Sequence, residues 1–198
     1  MNQLSQTEKL AQFEEFFAIA HEFSVNVIPL AKAVSEETFE SLIPVPFLLS
    51  SDNASIDQSA LRSIQSMRGV SNQLTDYLQH QSRKIDLLVG YILKQHDDES
   101  TRASGVLFGG SGIRFLSEQD YQIGQLVELK IFLDVENVAI YSHAEIIEKG
   151  SQAEQTCYTV IFQQIRELDQ DILVRASLHI QAKELQMLAK QRRESAKE

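Results

Sequence analysis

The chain has a single cysteine, Cys157, and three prolines, all at or before Pro46. One cysteine excludes an internal disulfide framework and fits a reducing cytoplasm, the expected location. No apolar run approaches the ~20 residues that span a bilayer, so membrane insertion is not expected. The start, MNQLSQTEKLAQFEEFF, carries acidic residues and no cationic stretch, unlike a secretory leader. Basic residues are scarce: 18 Lys and Arg against 28 Asp and Glu, a formal net charge of −10. That balance argues against a general nucleic-acid binder, which needs clustered cations for phosphates. The only basic cluster, Lys190, Arg192, Arg193 and Lys197, is interleaved with Glu194 and Glu198 and reads as a solvated helix end.

Catalytic patterns are equally sparse. His21, His80, His96, His143 and His179 are scattered, with no His-Glu-x-x-His and no Cys-x-x-Cys, so no metal site is expected. No Gly-x-Ser-x-Gly elbow is present. Phe108-Gly109-Gly110-Ser111-Gly112 lacks the Lys-Ser/Thr ending of a phosphate loop, so Ser111 reads as a turn serine. Cys157 alternates with Thr159 in a strand-like run, where a buried thiol is the plain reading. An enzyme would have to converge His143 with carboxylates such as Glu145, and nothing in the spacing suggests it. The chain is not expected to be an enzyme.

What the chain does have is a heptad ladder. Ile64, Met67, Ser71, Leu74, Leu78, Gln81, Ile85, Leu88, Ile92 and Gln95 recur in steps of three and four. That period keeps one face of a helix against a partner helix. Ser71, Gln81 and Gln95 are polar layers, which cost stability but fix register. Gly69 and Gly90 each weaken the helix by about 1 kcal/mol relative to alanine and leave room for close approach. Leu87 and Tyr91 add a second apolar stripe, so more than two helices are expected to meet. The expected assembly is a homotetramer through this helix.

The rest of the chain reads as helix and short strands. Ser5 and Glu8 form a capping box before Phe13, Phe16, Phe17, Ala20 and Phe23, which recur at helical spacing and predict a helix ending near Phe23. Val25 and Val27 alternate like a strand, while Pro29 suits a helix start. Pro44 to Ser50 reads as extended, because the residue before each proline avoids the helical region. Ser51-Asp52-Asn53 is a turn, and Ser55 with Gln58 opens the long helix, roughly 60 Å at 1.5 Å per residue. A polar loop, His96 to Thr101, ends it. Strands are predicted at Gly105–Phe108, Gly112–Phe115, Val127–Leu133, Val138–Ile147 and Cys157–Phe162, with turns at 109–111 and 150–152. Asp169 caps a last helix with apolar positions Ile172, Leu178, Ala182, Leu185 and Leu188.

The strand series resembles a PilZ domain. Its matching positions are Gly112, Ile113 and Phe115, then Gly124, Val127 and Leu129, then Phe162, Ile165, Asp169 and Asp171. Lys84, Ile85, Asp86 and Leu87 are similar to a stretch in the long helix of the atypical, tetramer-forming branch. The resemblance covers roughly residues 44–188. It implies an α+β fold: a small antiparallel β-barrel with a long inserted coiled-coil helix, an N-terminal amphipathic helix and a C-terminal helix. Residues 1–43 would be a helical extension and 44–198 the PilZ-like domain. Its parts would be a first strand at about 45–50, the helix at about 55–96, the remaining barrel at about 104–166 and the last helix at about 169–193.

The resemblance also implies bacterial cyclic di-GMP signalling or surface motility, through assembly and contact with an unidentified protein partner. PilZ domains hold cyclic di-GMP with an Arg-x-x-x-Arg pair and an Asp/Asn-x-Ser-x-x-Gly turn; forked guanidinium groups suit phosphates and guanine edges. Here no two arginines stand four apart. Aligned on Gly112, the turn has Gly109 at the serine and Leu107 at the acidic position, so only Gly112 carries over. No cofactor is expected, and cyclic di-GMP is not expected through the usual motif. The alternative is a receptor for cyclic di-GMP or another small ligand, with a site rebuilt from Arg102, Gly112 and Arg114.

Overall fold

A computed structural model describes residues 6–15, 18–54, 72–134, 137–152 and 154–195. The elements in chain order are α1 (Gln6–Glu15), β1 (Ala18–Pro29), α2 (Glu36–Leu42), α3 (45–54) and α4 (Asn72–Lys94). They are followed by β2 (Arg102–Gly109), β3 (Gly112–Ser117), β4 (Leu126–Leu133), β5 (Val138–Gln152), β6 (Gln155–Ile165) and α5 (Glu167–Ser195). The strands close an antiparallel barrel in the order β1-β2-β3-β6-β5-β4. Among the described residues, no helix is long and apolar enough to cross a membrane.

The barrel takes its first strand from 18–29, not from 45–50, so the boundary expected at residue 43 falls outside the barrel's own first strand. α1 ends at Glu15, and Ala20 and Phe23 lie in β1; Ser5, Phe16 and Phe17 lie outside the described residues. The spacing of phenylalanines fits a helix, but Ile19, Phe23, Val25 and Val27 also share one face of a strand. Tertiary pairing decides between the two. β1 pairs with β2 from Ala18 to Asn26 and with β4 from Ser24 to Pro29. The Phe23 ring lies across Gly105, where a Cβ would come within 2.2 Å of it. Phe23 also meets Phe108 edge-on at 5.6 Å.

Residues 45–50 are helical despite two prolines. Pro44 precedes the helix and its carbonyl accepts from Phe47 N at 2.9 Å. Pro46 falls in the first turn, where an N–H has no intrahelical acceptor and proline costs nothing in hydrogen bonding. The described part of the long helix is 72–94, shorter than the expected 55–96; Ser55, Gln58, Ile64, Met67, Gly69 and Ser71 lie outside the described residues. Asn53 Nδ2 donates to Asp86 Oδ1 at 2.9 Å. Phe47 packs with Leu93, so α3 and α4 run antiparallel. Together with α2 they form the insertion between β1 and β2.

The core fills the barrel with Val25, Phe108, Ile113, Leu129, Ile140 and Val160, all at 0% exposure. α5 seals it with Ile172, Leu173, Ala176 and Ile180. Leu178, Leu185 and Leu188, expected as that helix's apolar positions, are exposed instead. Asp169 lies in its first turn, bonded to Arg166, rather than capping it. A second cluster, Phe39, Ile43, Phe47 and Leu93 against Ala139 and Tyr141, fastens α2, α3 and the end of α4 to the barrel wall. Phe13 of α1 packs on Ile147 and Ile161, and Lys9 pairs with Glu145 at 2.6 Å.

Candidate assembly face and ligand turn

α4 meets the barrel through one narrow side. Leu93 is buried and Val89 half-buried in the cluster with Phe47 and Tyr141. Gly90 serves this contact: a Cβ there would lie 3.1 Å from Asn137 Oδ1, and Asn137 donates to the Asp86 carbonyl at 3.0 Å. Its small size therefore admits the β4–β5 turn. The heptad side lies about a quarter-turn round the helix, at 100° per residue, and is exposed. Leu74, Leu78, Ile85, Leu88 and Ile92 are 41–65% exposed. Tyr77, Leu87 and Tyr91, the flanking stripe, are 59–68% exposed. Full burial of a leucine or isoleucine is worth about 1.5–3 kcal/mol, so the stripe represents on the order of 10 kcal/mol before association costs. Gln81 is half-buried in the middle of the stripe.

The three candidate ligand residues are not brought together. Arg102 begins β2 and pairs with Asp97 at 2.9 Å and Glu99 at 3.7 Å. Its place is in a loop clip built on Asn26, which is fully buried. The Asn26 amide donates to Asp97 Oδ1 and the Asp98 carbonyl and accepts from Asp98 N. Hydrogen bonds from the Ser100 side chain and backbone hold the Asp98 carboxyl below its ordinary range. Arg114 lies on β3 opposite Leu107, about 17 Å along the sheet from Arg102 at ~3.4 Å per residue. It donates to Thr159 Oγ1 at 3.0 Å and faces Glu148 at 3.6 Å. Gly112 is required by packing: a Cβ there would come within 2.0 Å of the Val160 carbonyl oxygen of β6.

The β2–β3 turn is covered by α5. Gln170 Nε2 donates to the Gly110 carbonyl at 2.8 Å, and a Cβ on Gly110 would meet Val174 at 2.8 Å. Beside the turn lies a cavity of about 660 Å³, lined by Ser111 and Gln170 but also by Glu36, Glu40 and Glu167. Arg166, its cation, is engaged with Asp169 at 2.9 Å and Asp52 at 3.8 Å. These residues come from elements far apart in the chain, and no local pattern announced them. Asn26 did carry a signal: a polar residue between two strand valines.

The groups considered for chemistry are also used structurally. Cys157 is buried, and burial pushes its thiol up. Glu145 bonds Lys9 and Gln163. His143 instead faces Tyr141 Oη at 3.3 Å and Gln164 Oε1 at 3.1 Å. Burial, with a hydrogen bond to Glu128, raises the Tyr141 phenol above its ordinary value. Among the described residues, no cluster of His, Cys, Asp or Glu could hold a metal.

No protein-family model and no curated protein matches the sequence. The structure is similar to that of a tetrameric PilZ-domain protein from Xanthomonas campestris that self-assembles through a helical bundle. The TM-score is 0.56 at 18% identity, over 89% of this chain and 96% of that one. Weaker, partial likenesses are to the Bacillus subtilis inhibitor of motility and to Escherichia coli YcgR in complex with cyclic di-GMP. Their TM-scores are 0.40 and 0.41, with identities of 20% and 12%. The first covers 41% of this chain and 42% of its own, the second 45% and 39%. The chain has a PilZ-like α+β fold, a closed antiparallel barrel with added helices.

Proposed function

We propose that this is an atypical PilZ-like protein of bacterial cyclic di-GMP signalling or surface-motility pathways. It acts by homo-oligomeric assembly and contact with a protein partner, not by catalysis. The observation that carries this reading is the bare heptad face of α4, apolar over eight positions and turned away from the barrel. Hydrophobic burial is the driving force such a face offers, and an arc of two adjacent stripes suits a bundle of more than two helices. The tetrameric PilZ-domain protein from Xanthomonas campestris supports this choice of assembly. Solution mass at micromolar concentration tests it: a tetramer is expected, and a monomer overturns it.

Direct recognition of cyclic di-GMP through the usual motif is not part of this reading. Arg102 and Arg114 are each paired with carboxylates. Three glutamates line the cavity beside the turn and would repel a dianionic dinucleotide. Calorimetric titration with cyclic di-GMP should show no heat of binding up to about 100 μM; micromolar or tighter affinity would defeat it.

A further inference from the structure

We infer that the projecting end of α5 docks on the α2–α3 corner of a second copy of the chain. α5 is anchored to the barrel only as far as Ile180. Beyond it, residues 182–192 are exposed on every side of the helix. That stretch alone is about 16 Å long at 1.5 Å per residue. A projecting helix end gains stability by burying an apolar face against a partner. It has one to offer: Leu178, Leu185 and Leu188 are 50–60% exposed and fall on one side at heptad spacing. Over 182–195 four cations, Lys183, Lys190, Arg192 and Arg193, stand against two acids, Glu184 and Glu194, in a chain whose net charge is −10. The overhang is therefore cationic on an anionic molecule.

The α2–α3 corner is its complement. Leu42 at the end of α2 and Val45 and Leu49 one turn apart on α3 are 47–63% exposed and flank the bend between the two helices. Buried Phe39, Ile43 and Phe47 hold both helices to the barrel, so the stripe is presented on a fixed base. Its surroundings are acidic. Glu36, Glu37 and Glu40 are exposed on α2, and Glu36 and Glu40 open onto the 660 Å³ cavity that Glu167 also lines. An apolar stripe with an acidic rim matches an apolar stripe with basic flanks, the arrangement that gives charged interfaces their register and partner choice. The acceptor and donor surfaces are different, so the contact is heterologous and runs from each copy to the next. It uses no residue of the α4 heptad face and stands independently of that assembly.

Disulfide trapping tests it in the full chain, with Cys157→Ser as background. Val45→Cys and Leu185→Cys chains carrying different tags are co-expressed and oxidised. The mixed disulfide should exceed either homodimer at least fivefold, since only Cα atoms within ~7 Å can be bridged. Lys183→Glu with Lys190→Glu should reduce its yield at least fivefold, and Glu36→Lys with Glu40→Lys in the other chain should restore it. Absence of the mixed product, indifference to charge reversal, or a dominant Leu185→Cys homodimer would each overturn the contact. The solution mass of a Leu78→Glu, Leu88→Glu double variant reports on α4 separately. The two contacts can therefore fail one at a time.

Discussion

The β2–β3 side of the barrel and the α4 side of the insertion leave opposite things unsatisfied. Along this side polar groups are consumed internally: Arg102 by Asp97 at the far end of β2, Arg114 by Thr159 and Glu148, and the Gly110 carbonyl in the turn by Gln170. On α4 the apolar residues Leu74, Leu78, Ile85, Leu88 and Ile92 face water. A ligand site needs polar groups held ready but unpaired, and an assembly site needs apolar area. By that measure the turn is part of the scaffold, and the helix carries the exposed apolar area on which the proposed assembly rests.

The largest expected effect lies on the helix. Leu78→Glu with Leu88→Glu should convert the oligomer to monomer in sedimentation at micromolar concentration, with the barrel's circular dichroism retained. An unchanged mass would show that the heptad face is not the interface. Next comes Gly112→Ala, which forces a methyl within 2.0 Å of the Val160 carbonyl. It should destabilise by about 3 kcal/mol in urea unfolding, the upper end of overpacking costs. A near-neutral result would mean that β3 and β6 can part, and would reopen a ligand role for that glycine. The smallest effects belong to the arginines. Arg102→Ala and Arg114→Ala remove partly exposed ion pairs and should each cost at most about 1 kcal/mol. Either change gaining stability would mark an arginine kept for something other than its present partners.

Much of the barrel was legible because alternation of apolar and polar residues is a local signal. β4 reads directly in Val127, Leu129, Ile131 and Leu133, all buried or nearly so. β1 was not legible, because Phe13 to Phe23 satisfies two periods at once and the sequence holds no breaker between α1 and β1. Residues 45–54 misled for a related reason: proline favours both a strand edge and a helix's first turn. At the candidate site, the heptad spacing declared the α4 face. The cavity acids and the pairing of Arg102 with the Asn26 clip did not, since each joins residues far apart in the chain.

The amino-acid sequence by itself determined that α4 would carry an apolar seam, and that the chain lacks the arginine pair of a cyclic di-GMP receptor. Both are properties of residue type and spacing, which neighbours in space cannot alter. Only the tertiary structure decided which side of α4 stays bare and which strand closes the barrel, because pairing and burial depend on contacts across the fold. The same is true of the two arginines. The sequence shows them only as cations, and folding supplies the carboxylates that pair with them.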